Sequence, residues 1–189
     1  MINIPKIKRP KKDIVEKIKN LGSATVSGTL YGMGISNPFI MGPTTKTPGK
    51  SVAGPAITLQ FLPKREDIYN EDEYSDPELQ LHRHALYQTE PGDIVVVDAM
   101  GDMTSGVFGE MMLTFFQGRG GAGVVIDGCI RDFVHAQDLE IGMWLKGVTP
   151  NFHTQTNKYP HAVNIPISCG GTLVMPGDII VADDDGAVV

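Results

Sequence analysis

The chain has 189 residues, a hydrophobic content of 41% and a net charge of −6. This length and composition suit one compact domain with a sizeable core and exclude a disordered protein, and the acidic balance argues against a nucleic-acid-binding surface. The two cysteines form no CxxC pair and no apolar run reaches the roughly 20 residues that span a bilayer, so we expect a cytoplasmic protein with no disulfide scaffold and no membrane partner.

The first predicted elements are two helices. Apolar side chains at helical spacing predict a helix over residues 11–21, which Gly22 ends. Ser23 or Thr25 is available to cap a second helix. Residues 1–22 are therefore expected to form a helical lead-in to the domain.

Loops, a strand and a third helix follow. Proline and glycine residues predict a loop over residues 36–50, and residues 51–61 have the composition of a strand. An acidic insertion at 66–76 is expected to cross the surface, and leucine and alanine spacing predicts a helix over residues 77–89. This alternation of helical and extended signals indicates an α/β fold.

The centre of the chain carries a predicted βαβ unit. It consists of an apolar strand at 94–98, a helix at 109–118 and a second buried strand at 123–127, and a crossover of this kind joins parallel strands. Four short β-branched segments after it predict a second, largely antiparallel layer. These segments are residues 143–146, 162–167, 172–174 and 178–182. We therefore predict a single α/β domain over residues 1–189 with a mixed, layered sheet.

The most informative residues stand at the ends of this unit. Gly109 and Glu110 open the helix, and Arg131 with Asp132 follows the second strand, with 20 residues between Glu110 and Arg131. Ligands bind at the carboxyl ends of the strands in open α/β folds. Two acids and one arginine are therefore expected to converge at this edge.

These residues belong to a set of motifs that resembles the RraA-like family, which includes 4-hydroxy-4-methyl-2-oxoglutarate aldolases and the regulator of ribonuclease E activity. The motifs are PGDIVVVD at 91–98, GE at 109–110, GVVIDG at 123–128, RD at 131–132, GVTP at 147–150 and PGDIIVAD at 176–183. The most specific element is an acid, twenty intervening residues and then Arg-Asp, held between two strands. The resemblance covers residues 24–186 and implies a swivelling β/β/α architecture and a divalent-metal-dependent lyase.

The residue types suit such chemistry. Cleavage of a carbon–carbon bond next to a 2-oxo acid leaves pyruvate enolate, whose negative charge a divalent cation can stabilise. Asp132 is the expected direct ligand, and a site rich in oxygen with few protein ligands favours Mg²⁺, or Mn²⁺, over zinc. Arg131 is expected to bind the oxo-acid oxygens as a planar donor, and Glu110 to hold metal-bound waters.

The substrate carboxylate has an expected position at the start of the helix. After Gly109, the backbone amides of Met111, Met112 and Leu113 are expected to be free to receive it. These roles agree with those that the family assigns to its matching positions. The resemblance thus implies retro-aldol cleavage of a 4-hydroxy-2-oxo acid to pyruvate, with oxaloacetate decarboxylation as a second activity.

Simpler roles remain open at this stage. An Arg-Asp pair can be a surface ion pair, and Glu110 can be an ordinary acid at a helix N-terminus. His135, His153 and His161 lack matching partners, so solvated or locally hydrogen-bonded positions are expected for them. The alternative functions are a non-catalytic protein-binding regulator, like the ribonuclease-inhibiting branch, and a methyltransferase, which the lack of a glycine-rich loop after a first strand disfavours.

The sequence also departs from the family pattern. Family aldolases usually carry an acid where this chain has His135, and many relatives have an aspartate where it has Gly28. Their C-terminal segment continues into a helix that sends a glutamate to a neighbouring subunit, so a sequence that ends at Val189 is expected to be truncated or to lack that acid. The family resemblance implies a homotrimer, or a hexamer of paired trimers, with sites between subunits.

Overall fold

A computed structural model describes residues 4–65, 67 and 76–189, so most of the predicted acidic insertion at 66–76 lies outside the described residues. The helices are α1 (Lys12–Lys19), α2 (Ser23–Gly32), α3 (Leu81–Tyr87), α4 (Glu110–Gly118) and α5 (Phe133–Ala136), with 3-10 turns at Pro77–Leu79 and His153–Gln155. The strands are β1 (Thr44–Thr45), β2 (Val52–Pro63), β3 (Ile94–Gly106), β4 (Gly123–Ile130), β5 (Gly142–Val148), β6 (Lys158–Val163), β7 (Ile167–Cys169), β8 (Thr172–Val174), β9 (Ile179–Asp183) and β10 (Gly186–Val188). Among the described residues, no helix combines the length and apolar character of a membrane span.

A mixed sheet organises the fold. Within the described residues, eight strands join in the order β1-β5-β4-β3-β2-β9-β10, with β6 also paired to β2, while β7 and β8 form a separate hairpin. The four strands β2 to β5 are parallel to one another, and β1, β6, β9 and β10 pair antiparallel. The predicted α/β fold with a parallel βαβ unit and a mixed sheet is therefore confirmed. One of the four segments predicted for the antiparallel layer, residues 143–146, instead lies in β5, which runs parallel to β4 in the main sheet because its apolar side chains are buried on both faces.

Side-chain alternation along β3 separates two hydrophobic cores. Val95 and Val97 face the layer that contains α3, α4 and α5, whereas Ile94 and Val96 face the layer that contains β8 and β9. Trp144 of β5 is the largest fully buried side chain and belongs to the second layer. Because both faces of the sheet are covered, the central strands carry unbroken apolar runs.

Both strands of the βαβ unit are longer than predicted. The predicted apolar segment of β3 ends at Asp98, yet β3 stays paired with β4 through register shifts until Gly106. The backbone continues from there to Phe108, whose carbonyl accepts a hydrogen bond from the Arg131 amide over 2.9 Å. The hydrogen bonds between β3 and β4 thus extend beyond the residues that carry the apolar pattern. They bring the start of α4 beside the end of β4.

Local predictions elsewhere need small corrections. Within residues 36–50, β1 pairs with β5, because Thr44 and Thr45 add a short edge strand to the sheet. The predicted helix at 77–89 is divided into a 3-10 turn and α3. The predicted lead-in helix corresponds to α1, which begins and ends within two residues of the predicted limits.

The cap of α2 comes from a distant part of the chain. Neither Ser23 nor Thr25 caps the helix, and the N-cap is Gly22. Instead Asp183 accepts hydrogen bonds from the Ser23 amide (2.7 Å) and the Ser23 hydroxyl (2.6 Å). Burial alone would raise the pKa of the Asp183 carboxyl, but the hydrogen bonds from Ser23, together with those from the backbone of Asp185 and Gly186, outweigh it and hold the pKa below its usual range. The carboxylate therefore fastens α2 to β9.

Replacing this carboxylate tests its role in stability. Asp183→Ala should lower the free energy of unfolding by about 1 kcal/mol, the usual cost of a lost helix cap. Because the pKa of Asp183 is lower in the folded state, the difference from wild type should be complete above about pH 4 and should shrink as the pH falls further.

Urea denaturation between pH 7 and pH 3 measures this difference, and Asp185→Ala is the matched control because Asp185 is exposed and only its backbone bonds to Asp183. Equal stability of the two variants at pH 7 would contradict the capping role.

Candidate active site

The candidate site begins at the glycine that precedes α4. Gly109 is the N-cap of this helix and has an extended backbone (φ −112°, ψ 175°). A Cβ atom at this position would lie 2.6 Å from Oδ2 of Asp132 and 3.0 Å from Nε of Arg131. The missing side chain therefore leaves the space that the Arg-Asp pair occupies.

Arg131 and Asp132 follow β4 directly. Asp132 has left-handed backbone angles (φ 59°, ψ 30°), which are uncommon for a residue other than glycine. Nε of Arg131 lies 3.5 Å from Oδ2 of Asp132, and the two side chains are 40% and 44% exposed. An ion pair this exposed contributes little to stability and does not account for the unusual backbone. Such conformations cluster at functional sites, which favours a functional role over a plain surface pair.

One cavity of about 400 Å³ unites the predicted residues. Those that line it are Gly109, Glu110, Met111, Met112, Arg131 and Asp132. Glu110, Arg131 and Asp132 therefore come together at this edge of the sheet, where the sequence predicted that two acids and one arginine would converge. Leu113 does not line the cavity, because its side chain is fully buried in the core.

The first turn of α4 leaves fewer free amides than expected. The amides of Met112 and Leu113 both donate to the Gly109 carbonyl over 3.1 Å. The expectation of three free amides is wrong for these two, since the turn closes on the carbonyl of the N-cap residue. The Met111 amide has no backbone acceptor within the described part of the chain and stays available to a ligand.

The acids of the cavity suit a hydrated cation. Glu110 is half-buried and accepts a hydrogen bond from the Thr114 hydroxyl over 2.9 Å. No group of three or more His, Cys, Asp or Glu side chains that could hold a metal ion is found among the described residues. A cation bound to Asp132 with Glu110 nearby would keep most of its waters, as Mg²⁺ does, whereas structural zinc needs four protein ligands. The donor set thus fits Mg²⁺ or Mn²⁺.

The cavity wall also contains two buried histidines, His82 and His153, which the sequence did not predict as site residues. The rings of His82 and His153 meet edge to face with centroids 4.4 Å apart, and both residues are buried. Burial lowers the pKa of His82 well below its usual value, and burial with smaller effects of Lys64 and Arg131 lowers that of His153 to about 3. Both imidazoles are therefore neutral near pH 7. Of the two positions expected for His153, solvated or locally hydrogen-bonded, the solvated one is wrong, because the residue is buried.

The position of His153 depends on long-range pairing. Gly106 at the end of β3 forms a parallel bridge with Phe152, and its amide donates to the Asn151 carbonyl over 3.0 Å. This contact draws the segment before His153 over the cavity. The Phe152 ring lies 5.7 Å from Cζ of Arg131, within cation–π distance. His135, by contrast, is exposed on α5 and does not line the cavity.

A family model described as RraA-like, Aldolase/RraA, matches residues 23–189 of the chain. Among solved structures, Streptomyces coelicolor RraAS2, described as an unusual member of the RNase ES inhibitor RraA protein family, superposes with a TM-score of 0.88. It is 40% identical in sequence, and the match covers 96% of this chain and 86% of that one.

Two curated relatives carry aldolase names. A Halalkalibacterium halodurans protein provisionally named 4-hydroxy-4-methyl-2-oxoglutarate aldolase is 40% identical over 105 residues, which are 56% of this chain and 49% of that protein. An Arabidopsis thaliana protein provisionally named 4-hydroxy-4-methyl-2-oxoglutarate aldolase 3 is 31% identical over 109 residues, which are 58% of this chain and 64% of that protein. The matches thus span about half to two thirds of the length of these relatives.

A side chain at position 109 tests whether the site needs the space that Gly109 leaves. Gly109→Ala should displace the Asp132 carboxylate and the Arg131 guanidinium, because the added Cβ would overlap Oδ2 of Asp132. We expect the affinity for Mg²⁺ to fall on the order of 10-fold to 100-fold while the circular dichroism spectrum is unchanged.

Gly118→Ala is the matched control, since a Cβ at the other end of the same helix would meet nothing within 4 Å. Isothermal titration with Mg²⁺ measures both variants, and equal affinities would show that the space is not needed.

Proposed function

The chain belongs to the RraA-like family, and from this premise we propose that it is a divalent-metal-dependent lyase that cleaves a 4-hydroxy-2-oxo acid to pyruvate by a retro-aldol reaction. The observation that carries the proposal is the single cavity in which Arg131, Asp132 and Glu110 meet the glycine N-cap of α4. The aldolase names of two relatives support the reaction class.

Asp132 is the proposed direct ligand of the cation. When bound, a divalent cation supplies Lewis-acid stabilisation of the negative charge that develops on the 2-oxo oxygen. Asp132 suits this role because its carboxylate is accessible and occupies the space that the missing side chain of Gly109 leaves. Glu110 is proposed to orient waters through its carboxylate, one oxygen of which already accepts a hydrogen bond from Thr114.

Arg131 is the proposed substrate clamp. Its backbone is tied to Phe108, its Nε lies beside Asp132, and the Phe152 ring lies within cation–π distance of its guanidinium. A guanidinium held in this way offers parallel N–H donors to the carboxylate and oxo oxygens of a 2-oxo acid. The free amide of Met111 is the proposed second contact for the substrate carboxylate, because it lies in the first turn of α4.

The reaction also moves protons. The 4-hydroxyl group must lose its proton for the bond between C3 and C4 to break, and the enolate must then gain one at C3. The neutral imidazoles of His82 and His153 are poor proton carriers near pH 7, because their pKa values are far below it. We assign proton transfer to water oriented by Glu110. Loss of carbon dioxide from oxaloacetate leaves the same enolate, so decarboxylation is the proposed second activity.

A second candidate function is non-catalytic regulation through protein binding. It is favoured by the 40% identity to S. coelicolor RraAS2, which is described as a member of an RNase inhibitor family. The methyltransferase alternative has weaker support. The glycine-rich segment at 118–123 starts at the last residue of α4 and leads into β4. Cβ atoms at Gly120 and Gly121 would crowd Pro91 and Phe116, so these glycines serve packing.

The assembly and location of the protein complete the proposal. Glu110 and Asp132 alone leave a bound cation with few protein oxygens around it, so further groups from a neighbouring subunit would help to orient its waters. We propose a homotrimer, or a hexamer of paired trimers, with sites between subunits. We place this assembly in the cytoplasm, where a small 2-oxo acid would be its ligand.

Removal of the proposed ligand tests the lyase function. Asp132→Ala should abolish Mg²⁺-dependent release of pyruvate while leaving the fold intact, because Glu110 would then be the one acid left among the described residues that line the cavity. Pyruvate is measured with coupled lactate dehydrogenase, with and without a chelator, and inhibition of an RNase E-type nuclease is assayed in parallel.

Asp138→Ala, an exposed acid outside the cavity, is the control. Unchanged turnover and Mg²⁺ affinity in Asp132→Ala would remove Asp132 from the site, and nuclease inhibition without pyruvate release from the wild type would favour the regulator.

The geometry of the guanidinium gives a second test. Arg131→Lys keeps the positive charge but loses the planar pair of donors, so kcat should fall on the order of 100-fold, as it does when one donor to a developing oxyanion is removed. Steady-state kinetics with the same pyruvate assay measures the effect. Arg119→Lys at the C-terminal end of α4 serves as control, and a near-normal rate in Arg131→Lys would indicate a simple surface pair instead.

A further inference from the structure

A second cavity, here called the side cavity, adjoins the candidate site and has no part in the chemistry proposed above. It has a volume of about 290 Å³ and is lined mainly by apolar side chains. Some of its lining residues also line the site, so a ligand held at Arg131 can continue from one cavity into the other. The shared residues are Arg83, Met111 and Met112, and the others are Leu86, Tyr87 and Phe115.

Two helices form the walls of the side cavity. Arg83 and Tyr87 are four residues apart on α3 and therefore share one face of that helix. Met111 and Phe115 have the same spacing on α4. The rings of Tyr87 and Phe115 meet edge to face across the two helices, with centroids 5.6 Å apart and planes at 72°. An aromatic corner thus stands beside the site.

The rim of the side cavity exposes large apolar side chains to solvent. Met111 is 77% exposed and Phe115 is 44% exposed. Single exposed apolar residues are common on protein surfaces, but these two lie one helical turn apart and border a cavity that opens beside the site. Such an arrangement indicates a surface that an apolar part of a ligand covers.

The side chains of the wall favour an aromatic ring over an alkyl group of similar size. The thioethers of Met111 and Met112 make favourable contacts with aromatic rings, and Phe115 offers an edge-to-face contact. The guanidinium of Arg83 can pack against the face of a ring. Because a cavity of about 150 Å³ already holds benzene, the volume of the side cavity is sufficient for a phenyl group.

The guanidinium of Arg83 is held in place without being neutralised. Its Nε donates a hydrogen bond of 2.6 Å to Oε1 of Gln80, which is buried. Each ion pair found in the described part of the chain involves other residues, so the faces of this guanidinium are available to a ring. A carboxylate in the side cavity would instead face mostly apolar side chains and lose much of its hydration.

We propose that the side cavity binds an aromatic group attached to C4 of the substrate, so that the enzyme accepts 4-aryl-4-hydroxy-2-oxo acids. This inference rests on the proposed lyase function and adds a substrate class to it. Arg131 holds the 2-oxo acid end, and Phe115 and Arg83 contact the ring. Phe115 is thus a specificity residue.

The reaction with such a substrate has two products. Cleavage of the bond between C3 and C4 leaves the electron pair on C3 as pyruvate enolate, and C4 with its oxygen becomes an aromatic aldehyde. The proton of the 4-hydroxyl group passes to water, and C3 gains a proton from water. Pyruvate and the aldehyde therefore form in equal amounts.

Binding of acids that cannot be cleaved tests the side cavity without turnover. The ligands are 2-oxo-4-phenylbutanoate, 4-cyclohexyl-2-oxobutanoate and 2-oxobutanoate, which lack the 4-hydroxyl group, and isothermal titration is performed with Mg²⁺ present. We expect wild type to bind the phenyl acid about 10-fold to 100-fold more tightly than 2-oxobutanoate, because a ring is buried. The phenyl acid should also bind about twofold to tenfold more tightly than the cyclohexyl acid, because of contacts specific to aromatic rings.

Variants of the wall separate apolar burial from aromatic contact. Phe115→Ala should reduce the preference for the phenyl acid over 2-oxobutanoate by about threefold to tenfold, because part of the wall is lost. Phe115→Leu should keep more of this preference but reduce that for phenyl over cyclohexyl, and Arg83→Gln should reduce the latter as well. Tyr31→Ala removes an aromatic side chain that is 73% exposed on α2 and outside both cavities, and this control should keep both preferences.

Four results would overturn the proposal. The first is equal binding of the phenyl acid and 2-oxobutanoate by wild type, which would also follow if a neighbouring subunit filled the side cavity. The second is equal binding of the phenyl and cyclohexyl acids. The third is a full phenyl preference in Phe115→Ala. The fourth is an equal loss of affinity in Phe115→Ala for the phenyl acid and for 2-oxopentanedioate, which carries a carboxylate in place of the ring.

Turnover separates this inference from the lyase function. Wild type should convert 4-hydroxy-2-oxo-4-phenylbutanoate to pyruvate and benzaldehyde, and Phe115→Ala should lower kcat/KM for this substrate mainly through a higher KM. If wild type binds the phenyl acid selectively but releases pyruvate from no 4-hydroxy-2-oxo acid, the lyase function fails and the aromatic site stands. If wild type releases pyruvate from 4-hydroxy-2-oxopentanedioate but shows no phenyl preference in binding, the aromatic site fails and the lyase function stands.

Discussion

Backbone hydrogen bonds between the ends of β3 and β4 hold the two halves of the candidate site together. The Val107 amide donates to Cys129, and the Arg131 amide donates to Phe108. These bonds continue the pairing of the two strands beyond the point at which the apolar pattern ends. They also set where α4 starts, because Gly109 follows Phe108 directly. The distance between a helix N-terminus and an Arg-Asp pair is thus fixed by main-chain geometry and does not depend on flexible side chains.

Burial gives this site a simple electrostatic character. A neutral pair of imidazoles forms one wall, and the charged side chains among the described residues of the cavity are Arg83, Arg131, Glu110 and Asp132. His82 and His153 stay neutral near pH 7 because both are buried, so they shape the cavity without adding to its charge. Chemistry that needs a proton carrier at that pH must then use the acids and water, which is why Glu110 has a larger proposed role than either histidine.

The sequence predicted the parts of the molecule that depend on local signals. The βαβ unit follows from apolar runs and a glycine turn, and Glu110 with Arg131 and Asp132 follows from their positions at its ends. His82 and His153 could not be assigned in this way, since no periodicity shows that two segments about 70 residues apart share one cavity.

Two predictions were wrong because they considered only neighbouring residues of the chain. A sequence-local cap was expected for α2, but Asp183 reaches it from across the chain. Three free amides were expected in α4, but the hydrogen bonds of its first turn already engage those of Met112 and Leu113.

The left-handed backbone of Asp132 has a consequence for how this protein would respond to directed evolution. Glycine adopts such angles without steric cost, whereas another residue there costs on the order of 1 kcal/mol. A library screened for thermal tolerance alone would therefore be drawn toward glycine at this position, and the resulting proteins would fold well and lack the carboxylate. Screens for robustness of this scaffold need ligand binding as a second criterion, since folding quality and an intact site select different residues at position 132.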